Sequence, residues 1–225
     1  MPEGQICSVC NEHVACYRCA DCHGTPFTCL HCTREIHLRN PLHRIEQWTG
    51  KYFSSSWLWK VGICLNLGHR GEPCPLNYNG DNFNYQSFTD TNDYFEEEEE
   101  LDDYAWVHKA RPPPTHMPGL RTMVIVHTNG IHYLPVRFCH CLESASEDVQ
   151  MIQLGYYPST YKSIQTMFTF QLLDDYLLEN LECQTSAHHY YQKLRRMTNK
   201  VSPQLVPVTS IFFLFLLPGY THISM

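Results

Sequence analysis

Apolar residues are spread unevenly along this chain, and their spacing changes from one stretch to the next. Residues 1–50 hold few large aliphatic side chains and show no sustained period. Residues 57–67 are rich in aromatic and β-branched side chains and fit one strand or two short ones. Residues 123–127 and 131–138 flank Asn129-Gly130, a strong hairpin signal, so the centre reads as a small antiparallel sheet. After Pro158 the period becomes helical. Phe170, Leu173, Leu177 and Leu181 form one stripe with Phe168, Leu172 and Tyr176 beside it, a pattern that normally packs against a core. Ser186 is the expected N-cap of a second helix, in which Tyr190, Leu194 and Met197 repeat down to a basic end at Arg195 and Arg196.

Two stretches break this order. Residues 76–120 turn to Asn, Asp, Tyr, Glu and Pro, end in Arg111-Pro112-Pro113-Pro114, and have no apolar period, which predicts a disordered acidic insertion serving as a solvated spacer. Residues 200–225 contain an apolar run at 211–217, far shorter than the ~20 residues of a membrane span. No membrane partner is expected. Lys200-Val201-Ser202 is also what translation through a common intron donor sequence gives, so this end reads as an unrelated tail of intron origin.

Cysteine changes the picture most. Seven of the twelve cysteines lie within the first thirty-two residues, and His37 and His43 follow. Cys7/Cys10, Cys19/Cys22 and Cys29/Cys32 are three pairs at the two-residue spacing that grips one tetrahedral ion from a tight turn, and the histidines supply a fourth pair. A disulfide scaffold is the alternative, but residues 1–10 have neither a basic start nor an apolar run of signal-peptide length. The expected setting is therefore a reducing one, nuclear or cytoplasmic rather than secreted, with Zn2+ as the cofactor. A module so poor in aliphatics should fold only with metal, whose binding contributes on the order of 10 kcal/mol or more.

A third set lies further on. Cys139-His140-Cys141 ends the hairpin's second strand, where alternation puts Cys139 and Cys141 on one face. His69 and Cys74 precede the insertion and could complete a four-ligand site, with His132 or His127 as substitutes. Cys64 and Cys183 read as small core residues, while His108, His116, His188 and His189 lack partners at ligand spacing. Cys16 is a spare, because eight ligands already fill two sites.

Charge narrows the partners. The net charge is −7, yet residues 96–103 alone supply seven negative charges. Residues 1–75 carry seven Lys/Arg against six Asp/Glu, and residues 121–200 seven against seven, so neither has the basic footprint of phosphate binding. No HExxH or HxE with PCxxC signature is present, and Asp174 with Asp175 reads as a solvated helix face. No chemistry and no small-molecule substrate are expected of the chain alone.

The N-terminal order of three cysteine pairs and two histidines resembles the cross-braced pattern of B-box domains. That resemblance implies Cys7, Cys10, Cys29 and Cys32 on one zinc, and Cys19, Cys22, His37 and His43 on the other. Taken with residues 40–48, Leu67-Gly68-His69, Pro73-Cys74-Pro75, Asn129-Gly130-Ile131-His132, Phe138-Cys139-His140-Cys141, residues 154–160, Phe168-Thr169-Phe170 and residues 190–199, the chain resembles the CxC-type-2-like cysteine cluster domain associated with KDZ (Kyakuja-Dileera-Zisupton) transposases of fungi. There such a cluster sits ahead of a much larger catalytic domain, which is expected to be missing here. The resemblance implies a transposase-associated recognition module without its catalytic domain, binding transposon DNA or another protein such as that domain. The alternative is a B-box-type protein-interaction module unrelated to transposition.

The expected fold is a small zinc-stabilised α+β one. A cross-braced zinc module spans 5–48, a β-rich part 49–75 and 121–158, and a pair of helices 159–199, with the insertion at 76–120 and the tail at 200–225.

Overall fold

Strands of two to four residues cannot stand alone, and in the N-terminal part they form one small sheet. In the computed structural model, which describes residues 4–75, 120–160, 164–200 and 203–206, β1 (Tyr17–Cys19), β2 (Phe27–Thr28), β3 (Ile45–Trp48) and β4 (Phe53–Ser56) pair antiparallel in the order β2-β1-β3-β4. Helix α1 (Leu30–His37) lies between β2 and β3. Its N-cap is Cys29, whose thiol accepts the Cys32 N–H, so a metal-ligand residue type also caps the helix. The acidic run, His108, His116 and the apolar run at 211–217 fall outside the described residues.

The apolar stretch at 57–67 behaves differently from its expected strand. It forms a 3-10 turn, Leu58–Val61, closed by Gly62 at φ 85, and then the two-residue β5 (Leu65–Asn66). Leu58, Trp59, Val61, Ile63, Leu65 and Leu67 are nonetheless all buried, so the apolar pattern marked burial rather than strand. The polar run Phe53-Ser54-Ser55-Ser56 becomes a strand because β3 offers it a ladder.

The second sheet contains the predicted hairpin, β6 (Leu120–His127) and β7 (Gly130–Arg137), followed by α2 (Glu147–Gln153), β8 (Tyr156–Pro158) and β9 (Thr166–Thr169). Strand order is β5-β7-β6-β9-β8. The hairpin and the β8–β9 pair are antiparallel, whereas β5 joins β7 and β9 joins β6 in parallel, so two parallel pairings flank the expected antiparallel hairpin. His127 pairs with Gly130, so the loop is Thr128-Asn129, one residue earlier than expected. Gly130 has φ 142, and a Cβ there would lie 2.9 Å from Thr198 Oγ1. Thr198 in turn accepts the Ile131 N–H at 2.8 Å, so this glycine serves helix contact as much as the turn.

Phe168 belongs to β9 rather than to the helical stripe, and α3 (Phe170–Cys183) starts behind a Thr169 cap. Ser186 caps α4 (Ala187–Thr198) as expected. The α3 stripe is only half used. Leu172 and Leu173 are buried, whereas Leu177 and Leu181 are 43% and 65% exposed.

Both faces of the second sheet are covered, which explains its nearly unbroken apolar strands. On one face Met123, Ile125, Leu134 and Met167 share a core with Tyr17, Cys19, Leu42 and Ile45 of the N-terminal module. On the other, Val126, Ile131 and Phe168 pack with Leu172, Tyr190, Leu194 and Val206. Val206 lies within the supposed tail. Buried Arg195 donates to its carbonyl and to that of Gln204, holding this stretch against α4.

Candidate metal centres

Three groups of four donors converge, each with its ligand atoms within 4.8 Å of one another. Cys7 and Cys10 come from a knuckle braced by the Asn11 N–H to Cys7 carbonyl and Ser8 N–H to Phe27 carbonyl bonds. They meet Cys29 and Cys32 at the start of α1, with 3.9 Å between the Cys10 and Cys29 sulfurs. Cys19 ends β1, Cys22 follows in the next turn, and both face His37 and His43. The Cys22 Sγ lies 3.5 Å from His37 Nε2 and 3.4 Å from His43 Nδ1, while Cys19 Sγ lies 3.6 Å from His43 Nδ1. Helix α1 thus supplies Cys32 to one group and His37 to the other.

The third group joins elements far apart in sequence. His69 and Cys74 follow β5, and Cys139 and Cys141 follow β7. Cys139 Sγ stands 3.1 Å from His69 Nε2 and 3.7 Å from Cys74 Sγ, and Cys141 Sγ stands 3.5 Å from His69 Nε2 and 3.3 Å from Cys74 Sγ. A tetrahedral ion with Zn–S near 2.3 Å and Zn–N near 2.0–2.1 Å would space its ligand atoms by about 3.5–3.8 Å. The observed separations bracket that range. They far exceed the ~2.05 Å of a disulfide, and all twelve cysteines are free thiols. The first group offers four thiols, the second two thiols and two imidazoles, and the third three thiols and one imidazole, and all three donor sets are those of structural zinc.

Crowding shapes the acidity of these groups. Cys141 is pushed up to about 12 by its contacts with the Cys139 and Cys74 thiols, and Cys19 up to about 12 by burial. Burial also raises Cys32, whereas Cys10 is lowered to about 5 by the Glu12 N–H and then by the His13 side chain and N–H. Sulfurs packed this closely repel one another once ionised, and a dication held among them would supply the compensating charge.

Supporting side chains fix several donors. Thr33 carbonyl accepts from His37 Nδ1 at 2.7 Å, which leaves Nε2 to face the sulfurs. Asp21, between Cys19 and Cys22, accepts the Arg44 N–H at 2.6 Å and Arg44 Nη2 at 2.6 Å. Burial alone would raise its carboxyl, but Arg44 outweighs burial and holds it below the usual range. Asn129 at the hairpin tip donates to Asp21 Oδ2 and to the Leu42 carbonyl, beside ligand-type His43. Its Oδ1 therefore faces His132 Nε2 at 2.7 Å, so that nitrogen carries the proton.

The twelve donors picked out by spacing are the twelve brought together, and the alternate pairing implied by the B-box pattern is the grouping seen. Cys16 stays outside, packed against the core, its thiol pushed up to about 11 by burial. Cys64 and Cys183 join no group among the described residues, although Cys183 is exposed rather than a core residue. His127 and His132 are not needed as substitutes; they bond Thr169 and Asn129. Asp21, Asn129, Gln150 and His13, 3.7 Å from Cys10 Sγ, gave no sequence signal beyond proximity, because tertiary contacts create most of their roles.

Three four-donor Cys/His groups on an α+β scaffold define a cysteine-cluster protein able to hold metal ions. Part of the chain also matches a known family. Residues 104–202 match the family described as the CxC2 like cysteine cluster associated with KDZ transposases. The match takes in Cys139 and Cys141, and the other ten donors lie ahead of it. No curated protein and no solved structure matches the chain. No described helix is long and apolar enough to cross a membrane.

Proposed function

We propose that this chain is a zinc-folded recognition module of the transposase-associated type, holding three Zn2+ ions structurally and binding a macromolecule without performing chemistry itself. The first ion is held by Cys7, Cys10, Cys29 and Cys32, the second by Cys19, Cys22, His37 and His43, and the third by His69, Cys74, Cys139 and Cys141. The observation that carries this reading is the spacing of the ligand atoms, close to the edges of a zinc tetrahedron in all three groups. Each set already has four protein donors. That leaves no open position for a reactive water, so the ions brace the fold.

The partner is either transposon DNA or another protein, such as a transposase catalytic domain. The balanced charge of residues 1–75 and 121–200 favours protein, and the family match favours a transposition setting. Zinc per chain, measured on protein purified without added chelator, should be three. Titration with transposon-end DNA at two salt concentrations separates the partners, because phosphate contacts predict a steep loss of affinity with salt. Salt-independent or absent DNA binding, with retained binding to a transposase catalytic domain, would establish the protein reading. A count of zero zinc would remove the whole proposal.

A further inference from the structure

Gln150, on α2, is only 4% exposed and belongs to none of the donor groups. Its Oε1 accepts the Cys139 N–H at 2.9 Å, and its Nε2 donates to the Cys139 carbonyl at 2.8 Å and to the Ala145 carbonyl at 2.7 Å. One side chain thus occupies both backbone groups of one residue, as a neighbouring strand would. It does so just beyond Arg137, where β7 ends with its carbonyl taken by the Leu67 N–H. A buried amide is costly unless every polar atom is paired, and here each end of the amide is. Cys139 is confined from another direction as well, since a Cβ on Gly68 would lie 2.3 Å from its own Cβ.

We propose that Gln150 is the positioning residue of the third metal group: by clamping the Cys139 peptide, it sets the sulfur against His69 Nε2 and Cys74 Sγ. This rests on the reading that the third group binds zinc. The loop that carries His69 is a poor alternative for setting the geometry. His69 is exposed, and both it and Arg70 adopt left-handed backbone, at φ 47 and φ 57. Cys139 is the buried reference point, and its sulfur also accepts the Cys141 N–H at 3.4 Å, so its placement is passed to the next thiol.

The 225-residue wild type, Gln150→Met, Gln150→Glu and the Cys139→Ser/Cys141→Ser double variant would be loaded with cobalt(II), and ion count, thiolate-to-cobalt absorption and release to a chelator measured. Gln150→Met keeps the volume but removes both bonds to Cys139. The third ion should then bind about 10–100-fold more weakly, leaving faster and with altered absorption, while the first two keep their wild-type rates. Gln150→Glu retains the acceptor for the Cys139 N–H and should recover part of the loss. A third ion released from Gln150→Met at the wild-type rate, with an unchanged spectrum, would overturn the proposal even if the melting temperature fell. An equal ion count in wild type and the double serine variant would instead remove the third metal site, and the positioning role with it.

Discussion

Single atoms decide much of this protein, and Gly68 is the plainest case. Its negative φ would suit any residue, so the constraint is the approach of Cys139 rather than backbone freedom. Gly68→Ala should cost about 1–3 kcal/mol in urea unfolding, the range for an overpacked site. It should also lower zinc content by one ion, the first two groups being far away in sequence. His132 gives a pH dependence. It is kept neutral, its pKa pushed down to about 3 by burial, whereas the unfolded chain takes up that proton near 6.5. Stability from this group is therefore present above pH 6.5 and drains away as pH falls towards 3, by at most about 1.4 kcal/mol per pH unit. Unfolding measured between pH 7 and 5.5 in excess zinc should show a steeper loss for wild type than for His132→Gln. Equal slopes would mean that His132 is not the group responsible.

Among the elements, α1 and α3 show what periodicity can and cannot tell. In α1, Cys32 and His37 are five residues apart and serve different groups, so the helix acts as a rigid strut between them. That role was legible once alternate pairing was assumed, because ligand spacing is a local property. In α3 the apolar stripe promised packing along its whole length, but burial falls off along it, from buried Leu172 and Leu173 through half-buried Tyr176 to exposed Leu177 and Leu181. Helical spacing says which side chains share a face, not how far the opposing surface extends. Gln at both Leu177 and Leu181 should change stability by no more than about 0.5 kcal/mol per site in chemical denaturation. A larger loss would show that these residues are covered. The hairpin was visible in its turn residues, but the shift of its loop to Thr128-Asn129 follows from contact between Gly130 and Thr198, which no local signal carries.

At the scale of the whole molecule, the donor groups and the core form one structure. Cys19 is both a donor of the second group and a member of the core shared with Met123, Ile125 and Met167. Asn129 fastens the hairpin tip to Asp21 and Leu42, which directly precede Cys22 and His43 of that group. Strong chelation should therefore abolish near-ultraviolet circular dichroism across the protein in a single transition, not in a small N-terminal step followed by a second one. Replacing residues 76–119 with a flexible linker should leave the zinc count unchanged, since all twelve donors of the three groups lie among the described residues. By itself, the sequence determined which cysteines and histidines to group, the α+β class, the hairpin and the Ser186 cap. These depend on residue type and spacing over a few positions, which a linear pattern records. Only the tertiary structure decided the parallel pairings that flank the hairpin, the joining of the N-terminal module to the sheet, and the clamp of Gln150 on Cys139. Those depend on which surfaces meet after the chain has closed on itself, and hydrogen bonds between residues brought together in that way leave no period to read.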